Sequence, residues 1–168
     1  MSMFESSHDA SDARRGAPRL SSPADDAMLR AVGVLILLGI GAMHFLQIVA
    51  TFKATPLLGG GYMVLIAGCV VVASGLVARG DSRIWMAAGI VGAGAIGGYI
   101  LTRVMSTPLD NQDLGNWSCM LGLAALFVEA SLVVLSGYSL AALRSRREGT
   151  APAAAGVGGS LSHRSAAA

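Results

Sequence analysis

The acidic residue Glu129 is the first candidate for chemistry, because it is the only charged residue between Leu114 and Leu143. It follows Trp117 by about 12 residues, which is about 18 Å of rise if the segment is a helix. A carboxylate at that depth in a bilayer is costly, so such residues usually pair with another group or carry function. The residue therefore predicts a buried polar site within a membrane-spanning helix.

His44 is the expected partner of Glu129, since it lies about eight residues before Phe52, or about 12 Å deep. Gln47 shares its helical face, and we expect a buried polar cluster of His44, Gln47 and Glu129. The simpler interpretation is a hydrogen bond that joins two helices. The alternative is a proton-carrying site, because an imidazole can share a proton with a carboxyl group.

A second set of polar residues is predicted at the other end of the helices, away from the chain termini. Arg103 closes the third apolar stretch, with Tyr99 one turn before it and Asp110 and Asp113 after it, and Lys53 ends the first stretch. Such an arginine usually extends its head to the interface or pairs with a nearby carboxylate. A cation there could also bind an anionic head group or a quinone carbonyl. We call these five residues the outer mouth.

Metal and haem chemistry find little support in the sequence. His44 is the only histidine within an apolar stretch, which excludes a bis-histidine haem within one subunit. A His–Met haem or a copper site is compatible with the ligand types but has no recognised spacing. The sequence contains no Ser–His–Asp or paired-carboxylate pattern for hydrolysis. We therefore predict no metal, no cofactor and a non-enzymatic protein.

Membrane helices are needed to position the candidate site residues. Charged residues make up 13% of the chain, against about a quarter in soluble domains. About 20 apolar residues of helix cross the hydrocarbon core, and only helices or closed barrels satisfy the backbone there. Runs such as VLILL and LVVL lack the alternation of a barrel strand. The sequence predicts an all-α membrane protein, a bundle of four transmembrane helices at residues 28–52, 57–77, 84–102 and 114–143.

Small residues in the third span predict close helix packing. Gly94 and Gly98 form a GxxxG pair, which lets helix backbones approach in lipid. We expect this helix at the centre of the bundle or at the interface of a homodimer. The glycine run also matches a dinucleotide-binding pattern, but that pattern needs a strand before it and a helix beginning at the glycines.

Basic residues predict the orientation of the bundle. Ten of the twelve lysines and arginines precede the first span, lie between spans two and three or follow span four, while Lys53 and Arg103 lie on the other side. Such an excess marks the cytoplasmic side, so both termini are expected in the cytoplasm of a bacterial plasma membrane. Residues 1–27 and 144–168 are polar or low in complexity and are predicted to be disordered. The charge pattern does not indicate a nucleic-acid partner.

Several of these features occur together in a known group of proteins. His44, the segment GYILTR at 98–103, Thr107-Pro108 and Glu129 resemble small four-helix integral membrane proteins of actinobacteria with a DoxX-like topology. The likeness covers residues 28–143, although TRVMSTPL replaces the glycine-containing SRTxGLP-like stretch of many members. The resemblance implies a four-helix fold and, for some relatives by topology, a link to quinone-dependent redox complexes.

Three functions follow as expectations. The first is a non-enzymatic accessory or assembly subunit, with the lipid bilayer and a homodimer or a larger membrane complex as partners. The second is a small proton-coupled carrier that uses Glu129 and His44. The third is a redox subunit that binds quinone or haem near Arg103 and His44.

Overall fold

A computed structural model of the chain describes residues 22–105 and 114–150. Over these residues it contains no strand, and its four helices are α1 (Pro23–Ala54), α2 (Pro56–Ala78), α3 (Ser82–Val104) and α4 (Met120–Thr150). Each helix is long and apolar enough to cross a membrane. The prediction of an all-helical protein with four candidate spans is confirmed.

The ends of α1 and α4 differ from the predicted spans. Ser22 and Asp25 form a capping box, in which the Ser22 side chain accepts from the Asp25 amide and the Asp25 carboxylate accepts from the Ser22 amide. Pro23 occupies the first turn, so α1 begins five residues before the predicted start at 28. The predicted start of α4 at 114 is wrong: residues 114–119 are not helical, and Gly115 takes a left-handed conformation with φ 73°. Residues 144–150 of the predicted tail continue α4.

Short turns join the first three helices. Thr55 alone separates α1 from α2 and is extended (φ −148°, ψ 96°), as expected for a residue before proline. Between α2 and α3, Gly80 has a φ of 58°, which favours glycine. Asp81 then caps α3 by accepting from the amide of Ile84. Because these turns reverse the chain, the start of α1 and the end of α4 lie at the same end of the bundle, which we call the terminal end. The α1–α2 turn, the end of α3 and the start of α4 lie at the other end, which we call the loop end.

Two closely packed helical hairpins form the bundle. In the α1–α2 hairpin, a Cβ atom placed on Gly41 would lie 3.7 Å from the Cys69 Cβ. In the α3–α4 hairpin, a Cβ atom on Gly92 would lie 3.0 Å from the backbone oxygen of Glu129. The α3–α4 hairpin therefore uses glycine for close backbone approach, as expected where lipid removes the hydrophobic gain between helices, whereas the spacing at Gly41 is that of an ordinary van der Waals contact.

The hairpins join in the half of the bundle nearer the terminal end. Trp85 of α3 is 2% exposed and reaches across to α1, where its ring lies 3.0 Å from a Cβ atom placed on Gly33. Apolar residues from all four helices complete this core: Leu37, Ile40, Cys69, Val72, Ala73, Leu76, Ala88 and Leu132.

The outer surface of the helices is apolar. Leu46, Phe127 and Val134 are 82%, 74% and 72% exposed, and at most 22% of the most apolar window of any span is buried inside the protein. Soluble monomers rarely expose contiguous apolar surface of this extent. The bundle therefore has the surface of a protein surrounded by hydrocarbon.

The hairpins separate toward the loop end, between α2 and α3. Cβ atoms placed on Gly75 and Gly68 would lie 3.0 Å from Ile84 and 3.7 Å from Val91, whereas those on Gly94 and Gly98 would meet nothing within 4 Å. The expectation that Gly94 and Gly98 pack helices is therefore wrong within the bundle. The reason is that the pair faces the space between two diverging helices, and α3 makes its close contacts through Gly92 instead. Packing of this pair in a homodimer remains a prediction.

We predict that Gly92→Leu destabilises the protein by about 1–3 kcal/mol, as overpacking does in close-packed interiors. The new side chain would meet a backbone oxygen, which cannot rotate away. The free energy of unfolding in mixed detergent micelles measures the effect. Gly137→Leu is the control, because nothing lies within 4 Å of a Cβ atom there. Equal stability of the two variants would contradict the packing described.

Candidate functional site

A cavity of about 550 Å³ occupies the space between the two hairpins in the half nearer the loop end. All four helices contribute to its wall, including His44 from α1, Tyr62 from α2, Tyr99 from α3 and Glu129 from α4. Most of the remaining wall is glycine, alanine and aliphatic side chains. A few polar groups in a largely apolar concavity are typical of small-molecule sites.

His44 and Glu129 connect the two hairpins at the cavity. The Nε2 atom of His44 lies 3.8 Å from Oε1 of Glu129, and both residues are buried, at 9% and 2% exposure. The distance allows an electrostatic contact but exceeds that of a hydrogen bond. The two residues thus form a buried acid–base pair between α1 and α4.

The backbone fixes the proton on the other nitrogen of His44. Nδ1 lies 2.9 Å from the carbonyl oxygen of Ile40, and a carbonyl oxygen can only accept. We therefore assign the proton to Nδ1, which leaves the Nε2 lone pair directed at Glu129 when the ring is neutral. The ring also meets Tyr62 edge to face, with centroids 4.7 Å apart and planes at 79°. A proton added to this pair would therefore lie on Nε2 or on the carboxyl group.

Two buried polar atoms in the cavity wall have no hydrogen-bond partner among the described residues. They are Oε2 of Glu129 and the hydroxyl oxygen of Tyr99. Buried polar atoms are nearly always paired, so each unpaired atom needs an explanation. Both residues belong to the cavity wall, but the two atoms are themselves buried, so a molecule in the cavity would bond to them only after the side chains turn toward it.

Arg103 is buried at the loop end of the cavity and does not extend into the surrounding lipid. It is 8% exposed, and its guanidinium carbon lies 3.5 Å from the centroid of the Tyr99 ring. Its Nη1 donates to the Tyr99 carbonyl (3.2 Å) and to the Thr102 hydroxyl (3.1 Å), and its Nε donates to the Asn116 carbonyl (2.9 Å). The arginine therefore joins the last turn of α3 to the segment that precedes α4, and it contributes positive charge to the cavity wall.

The other predicted site residues lie in several places. Gln47 lines the cavity, but its amide nitrogen donates to the Met43 carbonyl (3.4 Å), and no contact with Glu129 is described. Lys53 is exposed and is not part of the cavity wall. Asp110 and Asp113 lie outside the described residues. Of the three residues of the outer mouth that the structure describes, Tyr99 and Arg103 line the cavity.

The sequence did not identify Tyr62 as a site residue, although its ring contacts His44. No signal in the sequence could have revealed this contact, since it depends on the register between α1 and α2. It also missed the cavity, which depends on the divergence of two helices. The glycines at positions 61, 68, 94 and 98, which line the cavity, were the signal that could have indicated it. Glycine, however, predicts close packing as readily as open space.

A resident metal ion finds no support in this site. Among residues 22–105 and 114–150, no three His, Cys, Asp or Glu side chains lie close enough to hold one. Cys69 and Cys119 are free thiols. Comparisons with protein-family profiles, with curated proteins and with solved structures found no match.

We predict that the contact between His44 and Glu129 couples the stabilities of α1 and α4. In a double-mutant cycle of His44→Leu and Glu129→Leu, the double variant should lose less stability than the sum of the single variants. The coupling free energy should be about 0.5–2 kcal/mol, as for contacting residues in other proteins. Unfolding in mixed micelles measures it, and additivity of the two substitutions would show that the pair makes no energetic contact.

Proposed function

We propose that this chain is a non-enzymatic multi-pass membrane protein that binds a small molecule in the cavity and exchanges a proton at His44 and Glu129. The observation that carries the proposal is that Glu129 belongs to the cavity wall while one of its carboxylate oxygens is buried and has no hydrogen-bond partner among the described residues. A purely structural His–Glu bond would not need a cavity beside it. The proposal corresponds to a small proton-coupled carrier.

The size of the cavity supports a small ligand. Its volume of about 550 Å³ lies within the range of about 300–1,000 Å³ that is typical of small-molecule sites. The two ends of the cavity differ in chemistry, with Tyr99 and Arg103 toward the loop end and the acid–base pair deeper. A ligand would therefore be held in one orientation.

The pair of His44 and Glu129 supports the exchange of a proton. The lone pair on Nε2 and the nearest carboxylate oxygen face each other at 3.8 Å, so one proton can be held by either group. A ligand that donates to Oε2 would favour the ionised carboxylate and move the proton to the imidazole, whereas an acceptor would favour the protonated acid. Ligand binding and proton binding are then linked.

An accessory subunit is the second candidate, and the exposed face of α3 favours it. Ala93 and Gly97 lie one turn apart and are exposed, and a Cβ atom on Gly97 would meet nothing within 4 Å. Such a pair suits close approach by another membrane helix. A homodimer or a larger membrane complex would use this face, while the cavity of each copy remains available to a ligand.

For localisation we propose a bacterial plasma membrane with both termini in the cytoplasm. The distribution of basic residues supports this orientation. In the structure, Arg30, Arg79, Arg83 and the arginines of the last turns of α4 belong to the terminal end. Arg103 at the loop end is held by backbone carbonyls within the protein, so it is not a surface charge that would oppose the orientation.

We predict that a small molecule co-purifies with the protein and that Gly98→Leu removes it. Nothing lies within 4 Å of a Cβ atom at this position, so the new side chain fills the cavity without disturbing helix contacts. Solvent extracts of protein purified in native nanodiscs, examined by mass spectrometry, should contain a species that is absent from Gly98→Leu and present in the control Gly137→Leu.

The same preparations test both candidates. Glu129→Gln should keep the fold but lose the pH dependence of ligand retention, because the proton-accepting carboxylate is gone. A preparation with no retained small molecule at any pH would contradict the carrier. Recovery of partner subunits with an empty cavity would favour the accessory role instead.

We predict the orientation as a labelling pattern in intact cells. In a Cys119→Ser background, Ser118→Cys at the loop end should react with a membrane-impermeant maleimide, while Ser145→Cys in α4 should react only after permeabilisation. Both serines are exposed, so accessibility within the protein is not limiting. The reverse pattern would place the termini outside the cytoplasm.

A further inference from the structure

The wall of the cavity between α2 and α3 is incomplete. Val64 of α2 and Ile90 of α3 both line the cavity, yet they are 75% and 65% exposed. Gly61, Gly94 and Gly98, which also line it, are exposed as well. A residue that belongs to both the cavity wall and the outer surface marks the rim of an opening, so the cavity opens sideways between these two helices.

The opening lies at the depth of the hydrocarbon. Val64 follows the start of α2 by about eight residues and Ile90 precedes the end of α3 by about 14, so the rim lies about 12–21 Å from the loop end. The hydrocarbon core is about 30 Å thick. The rim therefore faces lipid chains rather than water or head groups.

The loop end of the cavity is occupied by polar and aromatic contacts. Arg103 binds the Asn116 carbonyl, and the ring of Tyr99 meets that of Trp117 with centroids 6.3 Å apart. Tyr99 and Arg103 thus join the loop end of the cavity wall to the segment that precedes α4. They lie at the end of the cavity opposite the buried pair of His44 and Glu129.

We propose that the ligand is a neutral, lipid-soluble molecule with a hydrogen-bond acceptor at one end, and that it enters from the bilayer between α2 and α3. This inference rests on the proposed small-molecule function and adds the class of ligand and its route. A charged molecule would pay heavily for crossing hydrocarbon to reach the rim. The acceptor, a carbonyl or hydroxyl oxygen, accepts a hydrogen bond from the Tyr99 hydroxyl, which has no partner among the described residues.

Benzophenone tests the route, since it is neutral, lipid-soluble and carries one carbonyl, and light attaches it to nearby C–H bonds. The protein is reconstituted in phosphatidylcholine vesicles, mixed with the probe for varied times, illuminated briefly and mapped by mass spectrometry. Benzophenone-4-carboxylate is the matched anionic probe. We expect saturable adducts on cavity residues with benzophenone and their loss with the carboxylate.

Two variants separate recognition from entry. Tyr99→Phe keeps the ring against Arg103 but removes the hydroxyl, and it should raise the half-saturating concentration about fivefold, the value of one hydrogen bond. Val64→Phe narrows the rim and should slow the approach to saturation about tenfold. The half-saturating concentration should change little, because entry and release slow together. Val71→Phe, at a similarly exposed position of α2 outside the cavity wall, should behave as the wild type.

The outcomes distinguish this inference from the proposed function. Adducts confined to lipid-facing residues such as Leu46 and Phe127 would contradict ligand binding itself. Cavity adducts that increase without saturation would mean that lipid chains alone fill the space, which would overturn the inference. Saturable labelling by both probes, unaffected by Val64→Phe, would leave the binding site in place but overturn the lateral route.

Discussion

Apolar side chains gain nothing by leaving a hydrocarbon solvent, and this constraint determines how the bundle is built. Helices that cannot be held by burial of leucine must be held by close backbone approach or by polar contacts. Both occur here: Gly92 brings the backbones of α3 and α4 together, and His44 meets Glu129 between the hairpins. Between α2 and α3 toward the loop end neither kind of contact forms, although glycines are present there, and the helices diverge. The cavity therefore lies where the two hairpins make neither contact.

The same arrangement places the candidate site in one half of the molecule. Toward the terminal end, Trp85 bridges the hairpins and the core is solid. Toward the loop end, the space left between them is bounded by the acid–base pair on one side and by Tyr99 and Arg103 on the other. A closely packed half beside an open half would suit a binding site, since the polar groups would be positioned before a ligand arrives.

The sequence predicted the four helices because hydrocarbon imposes a length and a composition on each span that are visible in a single chain. It also placed His44 and Glu129 at similar depths, because depth follows from the helical rise alone. What it could not provide was the rotation and tilt of one helix against another. For this reason Gly94 and Gly98 were assigned to packing when they line a cavity, and the contact of Tyr62 with His44 was missed. The start of α4 was misplaced because apolar composition does not distinguish a helix from the non-helical segment that Arg103 holds through Asn116.

The pairing of the first and last helices bears on how the protein is made. Spans leave the ribosome in order, so α1 carries His44 into the bilayer well before α4 emerges with Glu129. The carboxyl group, which would be costly in lipid alone, then meets an imidazole that is already in place with Nδ1 bound to Ile40. Glu129, the residue that is most costly to insert, thus enters the bilayer after its partner His44. A chain with the same helices in the opposite order would have to leave the carboxyl group unpaired during most of its synthesis.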